Sequence, residues 1–375
     1  MINILMITTR DIYNDGGEKT LMLEKDKSLK KYGINIFYFS FRRDVYKYEN
    51  TSSNFNIVKQ YKTKEIYLNR KSIINDIDEF IKKNNIKIVI ISGFWLYLLN
   101  YEFKKLKNKY NIKFSLDYQG ALEEIKEFNL VKNMKFPSLI FFNIFRYLEK
   151  KFILNIADIV EVVSKNAISH IKKSYKDVEH LKFPIVHCGI RDYFKEAEYL
   201  EYRKFWREKL SIDYNEITFV YAGGISKWQN IDEIIEFAYK YKETKLFIFT
   251  SKNNIKELQK TKKLSNNIIL DSLPHKELLS ALCAFDYGLL LRDENITNYI
   301  AFPNKFSEYL NARLTILLKN KNIGCFINKI EFENFYILSE NLNIKHKRDN
   351  TLNYEIILKN ITYDNMIANL IKAYI

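Results

Sequence analysis

The stretch DYGLLLRDENITNYIAFPNKFSEYLNARLTI, residues Asp286–Ile316, carries the clearest structural pattern of the chain. Its apolar run Tyr287–Leu291 predicts a buried strand, and the polar loop behind it leads to Pro303, which predicts the start of a short helix. A second apolar run, Thr315–Leu318, predicts the next strand. Strand, loop, helix and strand form one step of an α/β fold, in which a helix N-terminus beside a strand end commonly binds an anion.

Lys305 and Glu308 are three residues apart in this predicted helix and therefore share one face. One interpretation is functional: a cation for a phosphate group and a carboxylate for sugar hydroxyls. The other is a solvated ion pair, which contributes roughly 0.2–0.5 kcal/mol. The rest of the chain decides between these interpretations.

Apolar strands alternate with helical patterns along the whole chain, which indicates an α/β protein with two doubly wound parallel sheets. At 375 residues the chain suits two domains. We predict an N-terminal domain over residues 1–192, a C-terminal domain over 193–358, and a last helix, 359–375, that packs back on the first domain. The predicted strands are Ile2–Ile7, Ile34–Ser40, Ile86–Ser92, Lys113–Asp117, Ile159–Ser164, Ile217–Tyr221, Lys245–Thr250, Ile268–Leu270, Tyr287–Leu291 and Thr315–Leu318.

Glycine pairs stand between a predicted strand and a helix in both halves, at Gly16-Gly17 and at Gly223-Gly224. Bare backbone N–H groups there can hold a phosphate or a sugar. Gly16-Gly17 lacks the G-x-G-x-x-G spacing of a dinucleotide site, and a simple turn would explain the pair as well.

Polar residues collect at the predicted carboxyl end of Lys113–Asp117, the edge at which open α/β sheets bind ligands. Paired carboxylates in this place can serve acid–base chemistry. Alternatively, Glu123 and Glu124 only complement the dipole of a helix N-terminus. The candidate residues are Asp117, Gln119, Gly120, Glu123 and Glu124.

The net charge of +15 indicates an anionic partner, but the lysines are scattered, which disfavours nucleic acid. The segment Asn133–Ile156 is apolar with basic ends, and such a helix either lies on an anionic membrane surface or packs inside the protein. Three distant cysteines without C-x-x-C predict a reducing cytosol and no metal site. No apolar run reaches the ~20 residues of a membrane span. We expect a cytoplasmic protein with peripheral contact to the inner membrane face.

Four segments together resemble the family-4 retaining glycosyltransferases: DYQGALEEI from Asp117, VHCGI from Val186, YAGGISKWQNIDEIIEF from Tyr221, and YGLLLR with AFPNKFSEYLNARLTIL from Tyr287 and Ala301. The resemblance implies a GT-B fold, with two facing Rossmann-like domains and a central cleft. It also implies a retaining transfer of a sugar from a nucleotide-sugar to a hydroxyl of a glycan or lipid-linked acceptor, in cell-surface polysaccharide or glycoconjugate biosynthesis.

The resemblance also assigns residues, with the nucleotide-sugar as substrate and no cofactor. Glu308 corresponds to the glutamate that binds the ribose hydroxyls, and Leu273 to the position beside the base. The glycine pairs correspond to loops at the donor: Gly223-Gly224 at the diphosphate and Gly16-Gly17 closing over donor and acceptor. On the acceptor side it implies Gln119, Gly120 and Glu124 as ligands and Asp117 and Glu123 as orienting groups.

Several positions depart from the family pattern. Ile300 stands where a first glutamate is expected, and Gly224 and Gln229 stand roughly where an arginine and a lysine bind the diphosphate. A diphosphate without counter-charges would be costly to bury. We therefore predict that Arg292 and Lys305 clamp it, with Lys227 assisting and without a metal. A nucleotide-sugar epimerase of the same fold and a non-catalytic binding protein remain as alternatives.

Overall fold

The computed structural model describes residues 2–12, 17–42, 55–128, 138–191, 193–319, 322–324, 335–337 and 361–375. The chain forms two compact units. The first unit comprises Met1–His187 together with Tyr363–Ile375, and the second comprises Cys188–Thr362. Each contains one six-stranded sheet.

The first unit is a parallel sheet in the order β3-β2-β1-β4-β5-β6, the order of a Rossmann fold. The order reverses between β1 and β4, so the crevice for a ligand opens beyond Thr8 and Ser92. A 3₁₀ helix follows β4 at Phe94–Leu99. The remaining elements are β1 Ile2–Thr8, α1 Gly17–Lys30, β2 Ile34–Arg42, β3 Ile57–Lys62, α2 Glu65–Leu68, α3 Arg70–Asn84, β4 Ile86–Ser92, α4 Asn100–Tyr110, β5 Lys113–Tyr118, α5 Glu123–Glu127, α6 Ser138–Asn155, β6 Ile159–Val162 and α7 Lys165–Ser174.

The C-terminal helix, Tyr363–Tyr374, packs on this first unit, as the sequence predicted. Its apolar residues join the core formed with β1, β2 and α1. Ser28 donates a hydrogen bond to Asp364 Oδ1 at 3.0 Å, and the Tyr374 hydroxyl donates to Glu161 Oε1 at 2.7 Å. The helix therefore completes one face of the first sheet through both apolar and polar contacts.

The second unit repeats the topology in the order β12-β11-β10-β7-β8-β9, which is again the Rossmann order read from the other edge. Its reversal lies between β7 and β10, both buried on either face. The elements are α8 Glu196–Lys209, β7 Thr218–Ala222, α9 Ile231–Lys240, β8 Lys245–Phe249, α10 Lys252–Thr261, β9 Ile268–Asp271, α11 His275–Ala281, β10 Tyr287–Leu290, α12 Ile296–Ile300, α13 Asn304–Asn311, β11 Thr315–Leu318 and β12 Phe335–Ile337.

The sequence predicted one uninterrupted polar loop between β10 and α13, but a short helix interrupts it. It contains the short helix α12, whose first turn is capped because Asn295 Oδ1 accepts a hydrogen bond from the Asn298 N–H at 2.8 Å. Pro303 then precedes α13 as its N-cap. Two helix N-termini therefore follow one strand end.

Tyr309 of α13 separates the two strands at the reversal. β7 and β10 pair only through Phe219 with Tyr287 and Val220 with Gly288. Beyond these pairs the Tyr309 hydroxyl accepts the N–H of Ala222 at 3.0 Å. A Cβ on Gly288 would collide with the Tyr309 ring. The glycine therefore makes room for the tyrosine, which anchors α13 over the open crevice.

We predict that Gly288→Ala destabilises the protein by about 1–3 kcal/mol, because the added methyl group overpacks the site of the Tyr309 ring. Denaturant unfolding measures the loss. Gly224→Ala is the matched control, since a Cβ there meets nothing within 4 Å. Equal stability of the two variants would show that Tyr309 moves aside without cost.

Candidate functional site

Lys305 projects from the first turn of α13 into the crevice at the end of β7. Its side chain is buried, with only 6% of the residue exposed. The amine donates a hydrogen bond to Gln229 Oε1 at 2.7 Å and lies 4.8 Å from the centre of the Tyr221 ring. Among the described residues no carboxylate forms an ion pair with this amine.

Arg292 reaches the same place from the end of β10 and is 7% exposed. Its Nη2 donates to Gln229 Oε1 at 3.3 Å, and its Nη1 donates to Asn298 Oδ1 at 3.4 Å. Asn298 lies in α12, so this helix orients the guanidinium. Both buried cations thus converge on the neutral amide of Gln229.

The electrostatics of this pair indicate a site for an anion. Burial and, to a smaller extent, the charge of Arg292 together lower the pKa of Lys305 to about 7, against a smaller rise caused by Glu308. Buried charges are costly unless an opposite charge compensates them, and strongly shifted pKa values cluster at functional sites. A phosphate group beside the Lys305 amine would supply an opposite charge.

Gly223 is required by the position of Lys305. Its φ of +144° is unfavourable for any residue with a side chain, and a Cβ there would lie 2.5 Å from the Lys305 Nζ. Gly224, next along the loop, is exposed, and its carbonyl accepts a hydrogen bond from the Tyr221 hydroxyl. Lys227 is exposed at the start of the 3₁₀ turn that carries Gln229. The crevice therefore contains the buried Lys305 side chain, and Gly224 and Lys227 lie exposed at its edge.

Glu308 lies one helical turn beyond Lys305, and its carboxylate contacts the side chain of His275. His275 Nε2 is 3.1 Å from Glu308 Oε1. His275 is the first residue of α11, and Leu273 is half-buried in the loop just before it. Ile300, where the family pattern has a glutamate, is fully buried. The structure thus brings Gly223, Arg292, Lys305 and Glu308 to the carboxyl edge of one sheet.

In the first unit, Asp117 lies at the carboxyl edge of the sheet within a polar cluster. Ser92 donates to its Oδ2 at 2.7 Å, and the Gln119 side-chain amide donates to both of its oxygens at 3.1 Å. The Nε of Arg10 is 3.8 Å away. Sequence reasoning missed both Arg10 and Ser92. Ser92 is the last residue of β4, and Arg10 lies two residues after the end of β1.

Glu123 is buried in a separate cluster of ionisable groups. Its Oε1 is 3.4 Å from Arg146 Nη1, and its Oε2 is 3.4 Å from His170 Nε2. Burial raises the pKa of Glu123, but His170 and Arg146 together lower it below its usual value. The carboxylate is therefore charged at neutral pH and engaged inside the unit.

The other predicted residues of the first unit lie around these two clusters. Gly120 is exposed, and Glu124 is half-buried with its Oε2 3.7 Å from the place of a Gly120 Cβ. Gly17 is the first residue of α1, whereas Gly16 lies outside the described residues. Across the described part of the chain, no three His, Cys, Asp or Glu side chains are grouped as metal ligands.

Comparison with known proteins identifies the fold. No family model and no curated protein matches the sequence. A glycosyltransferase from Rickettsia africae ESF-5 is 16% identical, with 100% of this chain and 97% of that chain covered and a TM-score of 0.64. HepE from Anabaena, solved with UDP and glucose, is 10% identical, with 100% of this chain and 95% of that chain covered and a TM-score of 0.62. The lipopolysaccharide outer core galactosyltransferase WaaB is 11% identical, with 99% of each chain covered and a TM-score of 0.63.

At such low identity the likeness shows the fold alone. The two Rossmann-like units form the fold of the GT-B glycosyltransferases, so the predicted fold class is confirmed. Membership of family 4 stays a prediction.

We predict that Lys305→Met stabilises the ligand-free protein, by about 1–4 kcal/mol at pH 6, because it removes a buried charge. The folded pKa of Lys305 is about 7, below its ordinary value of 10.5. Between pH 7 and pH 10.5 the unfolded chain binds more protons than the folded chain. The stability of the wild type therefore rises with pH in this range, and the advantage of the variant shrinks. Thermal unfolding from pH 6 to 10 measures this. Lys260→Met, at an exposed position, is the control. If Lys305→Met instead destabilised the protein, Lys305 would have a structural role.

Proposed function

We propose that this protein is a glycosyltransferase that moves a sugar from a nucleotide-sugar to a hydroxyl of a glycan or lipid-linked acceptor. The observation that carries the proposal is the pair of buried cations, Lys305 and Arg292, at the strand reversal of the second unit. Open α/β sheets bind nucleotides at this point. HepE, which shares the fold, was solved with UDP and glucose.

The proposed donor site uses the second unit. Lys305 and Arg292 bind the diphosphate and neutralise the charge that develops as the bond from the sugar to the phosphate breaks. Glu308 accepts hydrogen bonds from ribose hydroxyls, and Leu273 lies beside the base. Gly223, Gly224 and Lys227 form the loop next to the diphosphate. On the resemblance alone, Gly16 and Gly17 remain candidates for contact with donor and acceptor.

The proposed acceptor site uses the first unit, where Asp117 orients the acceptor hydroxyl with the help of Gln119, Gly120 and Glu124. Glu123 supports this loop indirectly, because its carboxylate is engaged with Arg146 and His170. We propose retention at the anomeric carbon, with the acceptor hydroxyl attacking the face that the diphosphate leaves and its proton passing to a departing phosphate oxygen. We assign no protein nucleophile, no metal and no further cofactor to this step, and we place the reaction in cell-surface glycan biosynthesis.

Binding of a donor is the first test. A screen of nucleotide-sugars by thermal shift should reveal one that raises the melting temperature, because a ligand of the native state stabilises by RT ln(1 + [L]/Kd). For that donor we predict that Lys305→Ala and Arg292→Ala each weaken binding by about ten- to a hundredfold, since each removes a charged hydrogen bond to phosphate. Lys260→Ala is the control. Near-wild-type affinity of both variants would reject the assigned site.

Turnover separates the proposed function from its alternatives. Release of the nucleoside diphosphate from the identified donor distinguishes catalysis from simple binding. A transferase of the proposed type releases the sugar with its original anomeric configuration, whereas an epimerase inverts a ring carbon. Binding without any release would leave a nucleotide-sugar-binding protein.

We also predict that donor binding takes up a proton near pH 8. The Lys305 amine is largely neutral there, because burial lowers its pKa to about 7, and an arriving diphosphate raises that pKa again. Calorimetric titrations in two buffers of different ionisation enthalpy measure the uptake. Lys305→Arg keeps the charge without titrating, so it should bind donor with no proton uptake. Equal heats for the wild type in both buffers would contradict the prediction.

A further inference from the structure

The helix α6 of the first unit has one face in the core and one face exposed. Its buried side carries Phe142, Phe145 and Phe152. On the other side, the neighbours Leu139 and Ile140 are followed by Ile144 and Tyr147 at spacings of four and three, so the four residues form one stripe along the helix. They are 45–60% exposed: Leu139, Ile140, Ile144 and Tyr147.

The 3₁₀ helix Phe94–Leu99 extends this apolar stripe sideways. The rings of Phe94 and Trp95, both half-buried, contact Phe141 and Phe145 of α6 at centroid distances of 5.1–6.0 Å. We define the α6 surface by these two aromatic residues together with Leu139, Ile140, Ile144 and Tyr147. It combines aliphatic side chains with a tryptophan and a tyrosine at its edges.

The α6 surface is a concentration of exposed apolar groups. In the described residues fourteen large hydrophobic side chains are exposed, and four of them lie on this one helix. Single exposed hydrophobic residues are ordinary, but a contiguous patch marks an interaction surface. No helix of the described chain is long and apolar enough to cross a membrane. Any membrane contact by α6 would therefore be along its side.

The charges around the patch identify the partner. Glu149 is the one acidic residue of α6, and it is buried. The exposed Lys150 and Lys151 follow the stripe, with the Lys151 amine 5.4 Å from the Tyr147 ring, and the exposed Lys126 lies over Phe142. The exposed face is therefore apolar and cationic, without a compensating acid of its own helix.

We propose that the α6 surface docks on an anionic lipid bilayer, with α6 lying in the plane of the headgroups. An apolar stripe with lysines beside it binds in this way, and tryptophan and tyrosine favour the interface. Each lysine near an anionic leaflet adds to the electrostatic attraction. A second copy of this chain fits less well, because pairing two such faces would bring like charges together in a protein of net charge +15. This proposal stands independently of the sugar transfer.

Sedimentation with vesicles tests it, using phosphatidylcholine alone or mixed with phosphatidylglycerol. We expect the full chain to bind the mixed vesicles and to dissociate as salt is raised. Leu139→Ser with Ile144→Ser should weaken binding at least about tenfold through lost apolar burial. Lys150→Gln with Lys151→Gln should remove the preference for the anionic lipid. Leu200→Ser with Phe205→Ser, equally exposed on α8 of the second unit, is the matched control.

Three results would overturn the docking proposal: no binding of the wild type, equal loss in the α8 control, or wild-type dimers in solution that the α6 variant dissociates. Thermal unfolding verifies that the variants are folded. Donor affinity in solution should be unchanged in the α6 variants, and vesicle binding should be unchanged in Lys305→Ala. Failure of the docking proposal can therefore be told apart from failure of the proposed function.

Discussion

A buried lysine held against a neutral amide is the interaction on which the second unit depends. Lys305 is held by Gln229 and not by a carboxylate, so burying its charged form is costly unless an anion binds beside it. The neighbouring choices follow from this one. Gly223 lacks the Cβ that would touch the amine, and Tyr309 holds the carrying helix in place while parting β7 from β10. These features lower stability, and in the proposed function they would preform the donor site.

The first unit has the same strand order, but its cationic side chains lie beside carboxylates. Its buried Lys25 pairs with Glu161, Arg146 lies 3.3 Å from Glu149, and Arg10 lies beside Asp117. Positive charges near that sheet are therefore matched by carboxylates of the same unit. A polar edge whose cations lie beside carboxylates suits hydroxyl groups, and a buried lysine held against a neutral amide suits a diphosphate. One topology thus supports both halves of the proposed transfer.

An element of the fold can be predicted from the sequence when it is determined by neighbouring residues, and is missed when it depends on tertiary contacts. Ile86–Ser92 was predicted to the residue because a parallel strand buried on both faces is a continuous apolar run. The edge strand Ile57–Lys62 was missed because it is largely exposed and mixes polar with apolar residues. The helix Ile296–Ile300 is too short for any periodicity and is defined by the Asn295 cap. The contact of His275 with Glu308 depends on which helices adjoin and has no local signal.

The cationic site shows why position-by-position comparison with a family can mislead. Gln229 stands roughly where the family pattern places a diphosphate-binding lysine, which taken alone indicates a degenerate site. In space, the amine of Lys305 lies 2.7 Å from that glutamine, although the two residues are 76 positions apart. Arg292 reaches the same glutamine from the end of β10. The charge requirement of a diphosphate concerns a location and not a sequence position, so residues on different elements can satisfy it once the strand order brings them together.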